Sequence, residues 1–173
     1  MGPGQAWAAC LFLWATRAVT PDFLRRAIDL ARDNVRRKKG GPFGAVVVCD
    51  GEVISEGVNL VTSVKDPTAH AEIIAIREAC RKLGHFELTD CDIYSSCEPC
   101  PMCLGAIYWS RLNALYFAAT RDDAAAAGFD DSFLYQELPR AWANRRVKTY
   151  CGLREEGREP FALWLATPDR VPY

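Results

Sequence analysis

The 173-residue chain carries no excess of charge: 21 lysines and arginines meet 22 aspartates and glutamates, for a formal net charge of −1. A protein that tracks nucleic acid or lies on an anionic membrane needs a basic surface, and this balance excludes such a footprint for the chain as a whole. Long hydrophobic runs are lacking as well. The apolar stretch at residues 6–15 is about half as long as a membrane-spanning helix of roughly 20 residues requires. No basic region precedes that stretch, whose first neighbouring cation is Arg17, so an export signal is not expected. Internal repeats, low-complexity tracts and long linkers are absent too. Residues 20–173 are expected to form one domain, with residues 1–19 an N-terminal extension outside it. Half of the residues are apolar, enough to build a core.

Histidine is scarce, with two residues, but there are eight cysteines. Cys97, Cys100 and Cys103 recur at i, i+3 and i+6, a spacing that reads as metal binding rather than a disulfide framework and favours the reducing cytoplasm. Cys10, Cys49, Cys80, Cys91 and Cys151 read as small buried apolar residues, and His85, after a helix-ending glycine, as an ordinary surface residue.

The organised chain starts at Thr20-Pro21, an N-cap residue followed by proline at the first helical position. Phe23, Ala27, Leu30, Ala31 and Val35 predict a helical apolar stripe. The cations Arg36 to Lys39 read as a solvated helix end rather than an RNA contact. Strand-like runs at 43–49 and 52–59 flank Asp50-Gly51, a two-residue hairpin signal. Asp66 and Pro67 are expected to open a helix over 70–83. A strand follows at 91–96, then a helix over 100–109, a strand over 113–119 and an alanine-rich helix capped by Asp123. A fifth strand is expected at 147–152 and a helical tail at 161–166. Helices alternating with strands after a hairpin predict an α/β fold: a three-layer α/β/α sandwich with a mixed five-stranded sheet and helices on both faces.

Chemistry concentrates in two stretches, Asp66-Pro67-Thr68-Ala69-His70-Ala71-Glu72 and Cys97-Glu98-Pro99-Cys100-Pro101-Met102-Cys103. Imidazole and thiolate are zinc ligands, and a catalytic zinc keeps one position open for water. His70, Cys100 and Cys103 would supply three ligands and leave that position free. The i, i+3 spacing puts Cys100 and Cys103 on one helix face, and a helix N-terminus favours the thiolate. His70 and Glu72 would point about 200° apart in mid-helix, so they share a site only where the helix end itself is aimed at it. Two rival readings are a closed Cys3His zinc that includes Cys97, and no metal at all. Glu72 favours the open site: beside a closed zinc a carboxylate has no role and costs desolvation, while beside an open one it moves protons. One zinc per chain is therefore expected. His-x-Glu followed by Pro-Cys-x-x-Cys is the signature of zinc nucleobase deaminases.

From residue 19 onward the chain resembles the cytidine-deaminase-like superfamily, and within it the bacterial-type guanine deaminases. The resemblance rests on Gly40-Gly41-Pro42-Phe43-Gly44-Ala45-Val46, on the two stretches above continued to Trp109, on the segment from Asp123 to Phe133, and on a chain that stops at Tyr173. It implies hydrolysis of guanine to xanthine and ammonia by water activated at the metal, with attack at C2 and Glu72 shuttling the protons. It further implies that Asn59 bonds the purine edge and that Asp131 reads the ring nitrogens and amino group. Phe43, His70 and Trp109 would sandwich the base, with Ala71 in contact with it, and Tyr173 would close the site of a partner subunit by tail exchange in a homodimer. The bland readings are a turn cap for Asn59, a helix cap for one of Asp130 and Asp131, and core packing for Phe43 and Trp109. Alternative substrates within the fold are guanosine, a triazine or tRNA adenosine. A small-molecule purine, without nucleic acid or membrane, fits the charge balance.

Overall fold

Thr20 is the N-cap of the first helix, in extended conformation, and Pro21 occupies its first turn. The structure, a computed structural model, describes residues 20–172. The helix, α1, runs Pro21–Arg36 and buries Leu24, Ala27, Ala31 and Asn34. Its inward face is rotated from the expected stripe: Val35 is half exposed, and Asn34 takes the inward place three residues after Ala31.

Strands β1 (Gly44–Cys49) and β2 (Glu52–Val58) pair antiparallel. They join through Asp50 and Gly51, both at positive φ (51° and 80°), as a two-residue turn of matching twist requires. On its other edge β1 pairs antiparallel with β3 (Cys91–Cys97), and β3 pairs parallel with β4 (Ala114–Ala119), giving the order β2-β1-β3-β4. Among the described residues this is a mixed sheet of four strands, not five. Residues 147–152 form no strand; Val147 and Tyr150 are 76% and 90% exposed, without the half-burial that makes a strand of such residues.

Alternation along β1 feeds two cores. Val46 and Val48 pack with Leu24, Ala27 and Tyr94 against α1. Ala45 and Val47 face the opposite way, packing with Ala75, Ile76 and Ala79 of α3 (Ala71–Leu83) and Ile107 of α4 (Pro101–Trp109). Helices therefore cover both faces, and the α/β/α layering holds. A short helix, α2 (Val61–Val64), precedes α3, and Asp66 closes a local turn onto Thr68 N–H and Oγ1 instead of capping α3, whose N-cap is His70. In α5 (Arg121–Ala126) the N-cap is Thr120, with Asp123 the reciprocal partner of a capping box rather than the cap.

Gly57 fixes where α3 sits. A Cβ there would lie 2.0 Å from the Ala71 carbonyl oxygen, so only glycine lets the first turn of α3 rest directly on β2.

Cys49 and Cys91 face each other across β1 and β3 with Cα atoms 4.2 Å apart and form a disulfide, which corrects the reading of them as unpaired apolar residues. Their pairing follows from strand register, which spacing along the chain does not reveal. Cys151 is exposed and Cys80 half-buried, rather than buried as expected; Cys10 lies outside the described residues.

The chain divides into two compact units after Ser132. The second contains most of α6 (Ser132–Glu137), a 3-10 turn (Trp142–Asn144) and α7 (Arg154–Ala166), none with a buried residue. Among the described residues no helix is long and apolar enough to cross a membrane. The expectations for residues 1–19 and for Tyr173 lie outside the described residues.

Candidate metal centre and substrate cavity

Three helix and strand ends converge in the first unit. His70 stands at the N-cap of α3, Cys100 at the N-cap of α4 and Cys103 in the first turn of α4, after β3 ends at Cys97. Nδ1 of His70 lies 3.6 Å from Cys100 Sγ and 3.5 Å from Cys103 Sγ, and the three ligand atoms lie within 4.8 Å of one another. A tetrahedral zinc with N at about 2.0–2.1 Å and S at about 2.3 Å sets N and S about 3.6 Å apart. The donor set and its spacing therefore fit that ion.

A hydrogen bond from Cys103, reinforced by His70, lowers Cys100 to about 4, and bonding to Cys100 together with burial raises Cys103. Its hydrogen bond with Cys100 raises His70. Cys97 is not in the group: its Sγ donates to the Thr120 carbonyl at 3.5 Å, and burial raises it to about 11.

Glu72, in the first turn of α3, is buried beside the three ligand atoms without being one of them. Its Oε1 accepts from Ser95 Oγ of β3 at 3.1 Å, and burial raises its proton affinity. The end-on aim of α3 brings His70 and Glu72 to one site, as the spacing demanded.

Both open onto a cavity of about 250 Å³. That is below the roughly 300 Å³ at which drug-sized pockets begin, and suits a small flat molecule. Phe43 forms one wall, with the Phe129 ring edge-on at 5.0 Å and 87°. Asn59 and Asp131 also line the cavity; burial, then the Cys100 thiolate, raises Asp131. Asp130 closes a local turn by accepting the Ser132 N–H at 2.9 Å, and of the pair it is Asp131 that lines the cavity.

Two expected contacts are not brought to it. Trp109 ends α4 six residues beyond Cys103, about 9 Å up the axis, and is exposed, with the Arg111 guanidinium 5.8 Å from its ring. Ala71 is fully buried in the core beneath the site and does not line the cavity. Phe129, not named among the expected contacts, lines the cavity. Its position two residues before Asp131 was the available signal. Glu98 and Arg121 also line the cavity, joined through the Arg121 N–H to Glu98 Oε2 at 3.1 Å.

Residues 19–119 match the cytidine and deoxycytidylate deaminase zinc-binding region, and the chain belongs to that family of zinc-dependent deaminases. More particularly, it is 54% identical over 151 residues to the guanine deaminase of Bacillus subtilis, covering 87% of this chain and 97% of that one. The crystal structure of guanine deaminase from Bacillus subtilis superposes with a TM-score of 0.87 at 50% identity, covering 90% of this chain and 99% of that one. A tRNA-specific adenosine deaminase of Aquifex aeolicus is 49% identical over 107 residues, covering 62% of this chain and 68% of that one.

Proposed function

We propose that this chain hydrolyses guanine to xanthine and ammonia, as a zinc-dependent hydrolase acting on the C–N bond of a cyclic amidine. The observation that carries this reading is the convergence of Asn59 and Asp131 on the cavity that holds His70, Glu72 and Cys100. The match to a guanine deaminase across nearly the whole of both chains supports it.

His70, Cys100 and Cys103 hold the metal. When bound, zinc supplies an acidified water and a fixed positive charge. Every other part is played by side chains of this chain. Phe43 and Phe129 press on the base, and Asp131 accepts from its ring N–H and amino group. Asn59 donates to an acceptor on its edge. Glu72 takes a proton from the attacking water and gives it to the ring nitrogen beside C2. It carries the second proton to the exocyclic amine, which leaves as ammonia. Burial, by raising its proton affinity, makes Glu72 a stronger base for the first transfer.

Residues 20–173 form the catalytic unit, with residues 1–19 an N-terminal extension outside it. The chain acts as a homodimer with an exchanged C-terminal tail that brings Tyr173 to the partner's cavity. The apolar residues that the second unit leaves uncovered support this: Phe161, Leu163 and Leu165 of α7 are each about two-thirds exposed or more, a surface that normally marks an interface. The proposed location is the cytoplasm, where Cys100 and Cys103 stay reduced to hold the metal; the Cys49–Cys91 disulfide is an exception to what that compartment favours.

The test is parallel ammonia release from guanine, guanosine, adenine and cytidine, and from tRNA carrying the target adenosine. Guanine as the preferred substrate supports the reading, and preference for any other overturns it.

A further inference from the structure

The helix α1 contributes no residue to the cavity, yet it buries an asparagine whose side-chain bonds both end on residues that line it. Asn34 is 3% exposed and projects between two loops that meet at the site. Its Nδ2 donates to the Gly41 carbonyl at 2.9 Å and to the Asn59 carbonyl at 2.8 Å. Its Oδ1 is buried and has no hydrogen-bond partner among the described residues. A buried carbonyl left unpaired is a cost, so this amide is placed for its two donors. Turning it over would set an oxygen against two carbonyls, which fixes its orientation.

The two loops, held together, close a ring. The Gly41 N–H points back to Asn59 Oδ1 at 3.3 Å, and the Val61 N–H reaches the same oxygen at 3.3 Å. Gly40 allows the approach, since a Cβ there would lie 2.1 Å from the Asn59 carbonyl oxygen. With two main-chain donors on Oδ1, the Asn59 amide cannot flip. Its Nδ2 makes no hydrogen bond within the described residues and belongs to a side chain that lines the cavity.

We propose that Asn34 is a positioning residue that holds the Asn59 amide with its donor toward the substrate, so that the cavity demands a hydrogen-bond acceptor on the edge Asn59 meets. A base presenting a donor there leaves two N–H groups facing each other, and one presenting C–H leaves Nδ2 unpaired. Either is rejected, because a buried polar group without its partner is costly. Asn34 thus acts on specificity without touching the ligand. The kinetic part of the test rests on guanine as the substrate; the structural part does not.

The experiment uses Asn34→Leu, close in shape but without donors, and Asn34→Ser should the leucine variant fail to fold. Amide hydrogen exchange of the metal-loaded protein without substrate is read first. Loss of the ring should speed exchange at Gly41 and Val61 by about tenfold or more, with Ile74 in α3 and Leu104 in α4 unchanged. Unchanged exchange at Gly41 and Val61 would overturn the proposal. The variant's kcat/KM for guanine should fall by about tenfold or more. Inhibition constants are then compared for 7-deazaguanine, which lacks the N7 acceptor, and 2-aminopurine, which lacks the O6 acceptor. The variant should bind normally the one analogue to which Asn59→Ala is also indifferent. Equal losses on guanine and both analogues would reduce Asn34 to a structural role. If the wild-type protein fails to turn over guanine, the substrate reading falls, and the exchange data still decide Asn34.

Discussion

Ser95 Oγ donates to Glu72 Oε1 at 3.1 Å, both residues buried where α3 meets β3. The bond holds in place a carboxylate that lines the cavity, which is how a proton carrier is positioned without being consumed as a ligand. Glu72→Gln should therefore keep one zinc per chain and melt within a few degrees of wild type. Turnover should fall by about 10²- to 10⁴-fold, the range of a lost general acid–base. Metal analysis beside a rate measurement checks this, and zinc lost with the carboxylate would make Glu72 a ligand.

Cys97 tests the other boundary of the metal group. Because its thiol is bonded to the Thr120 carbonyl, Cys97→Ser should leave zinc content at one per chain. Cys100→Ser and Cys103→Ser should each lose metal, since a hydroxyl is a poor substitute for a thiolate at such a site. Zinc lost equally in all three variants would restore the closed Cys3His site.

Asp131 is the substrate-reading carboxylate of the proposal. Asp131→Ala should lower kcat/KM for guanine by about 10²-fold or more, as expected when a site's charged hydrogen-bond partner is removed. Zinc content should not change. An unaltered rate would remove Asp131 from the site.

Gly57 carries a structural prediction. With a Cβ held 2.0 Å from the Ala71 carbonyl, Gly57→Ala must push α3 off β2. Urea unfolding should show a loss of about 3 kcal/mol or more, within the range of severe backbone and packing changes. Activity should fall further than stability alone accounts for, because His70 and Glu72 ride on that turn of helix.

Ligand chemistry was legible in the sequence because it is local. His70, Glu72, Cys100 and Cys103 lie in two short segments whose residue types and helix starts already state the donor set. The hairpin at Asp50-Gly51 and the alternation along β1 were legible for the same reason. What spacing did not show depends on register and rotation. The Cys49–Cys91 pair needs β1 and β3 aligned, and the inward turn of Asn34 needs α1 rotated from its most apolar stripe. The family resemblance assigns Trp109 to the cavity, while the rise along α4 carries it away. The segment at 147–152 has a strand's composition without a strand's burial, since Val147 and Tyr150 stand exposed.

Chelation followed by readdition of zinc decides whether guanine turnover depends on metal at the His70, Cys100 and Cys103 site. Ammonia release from guanine is measured on the purified protein, after removal of metal by chelator, and after return of one equivalent of zinc. Activity should be lost on chelation and recovered at one zinc per chain. Full guanine turnover in the metal-free protein, or one tightly bound zinc with no turnover of guanine, would contradict the proposed function.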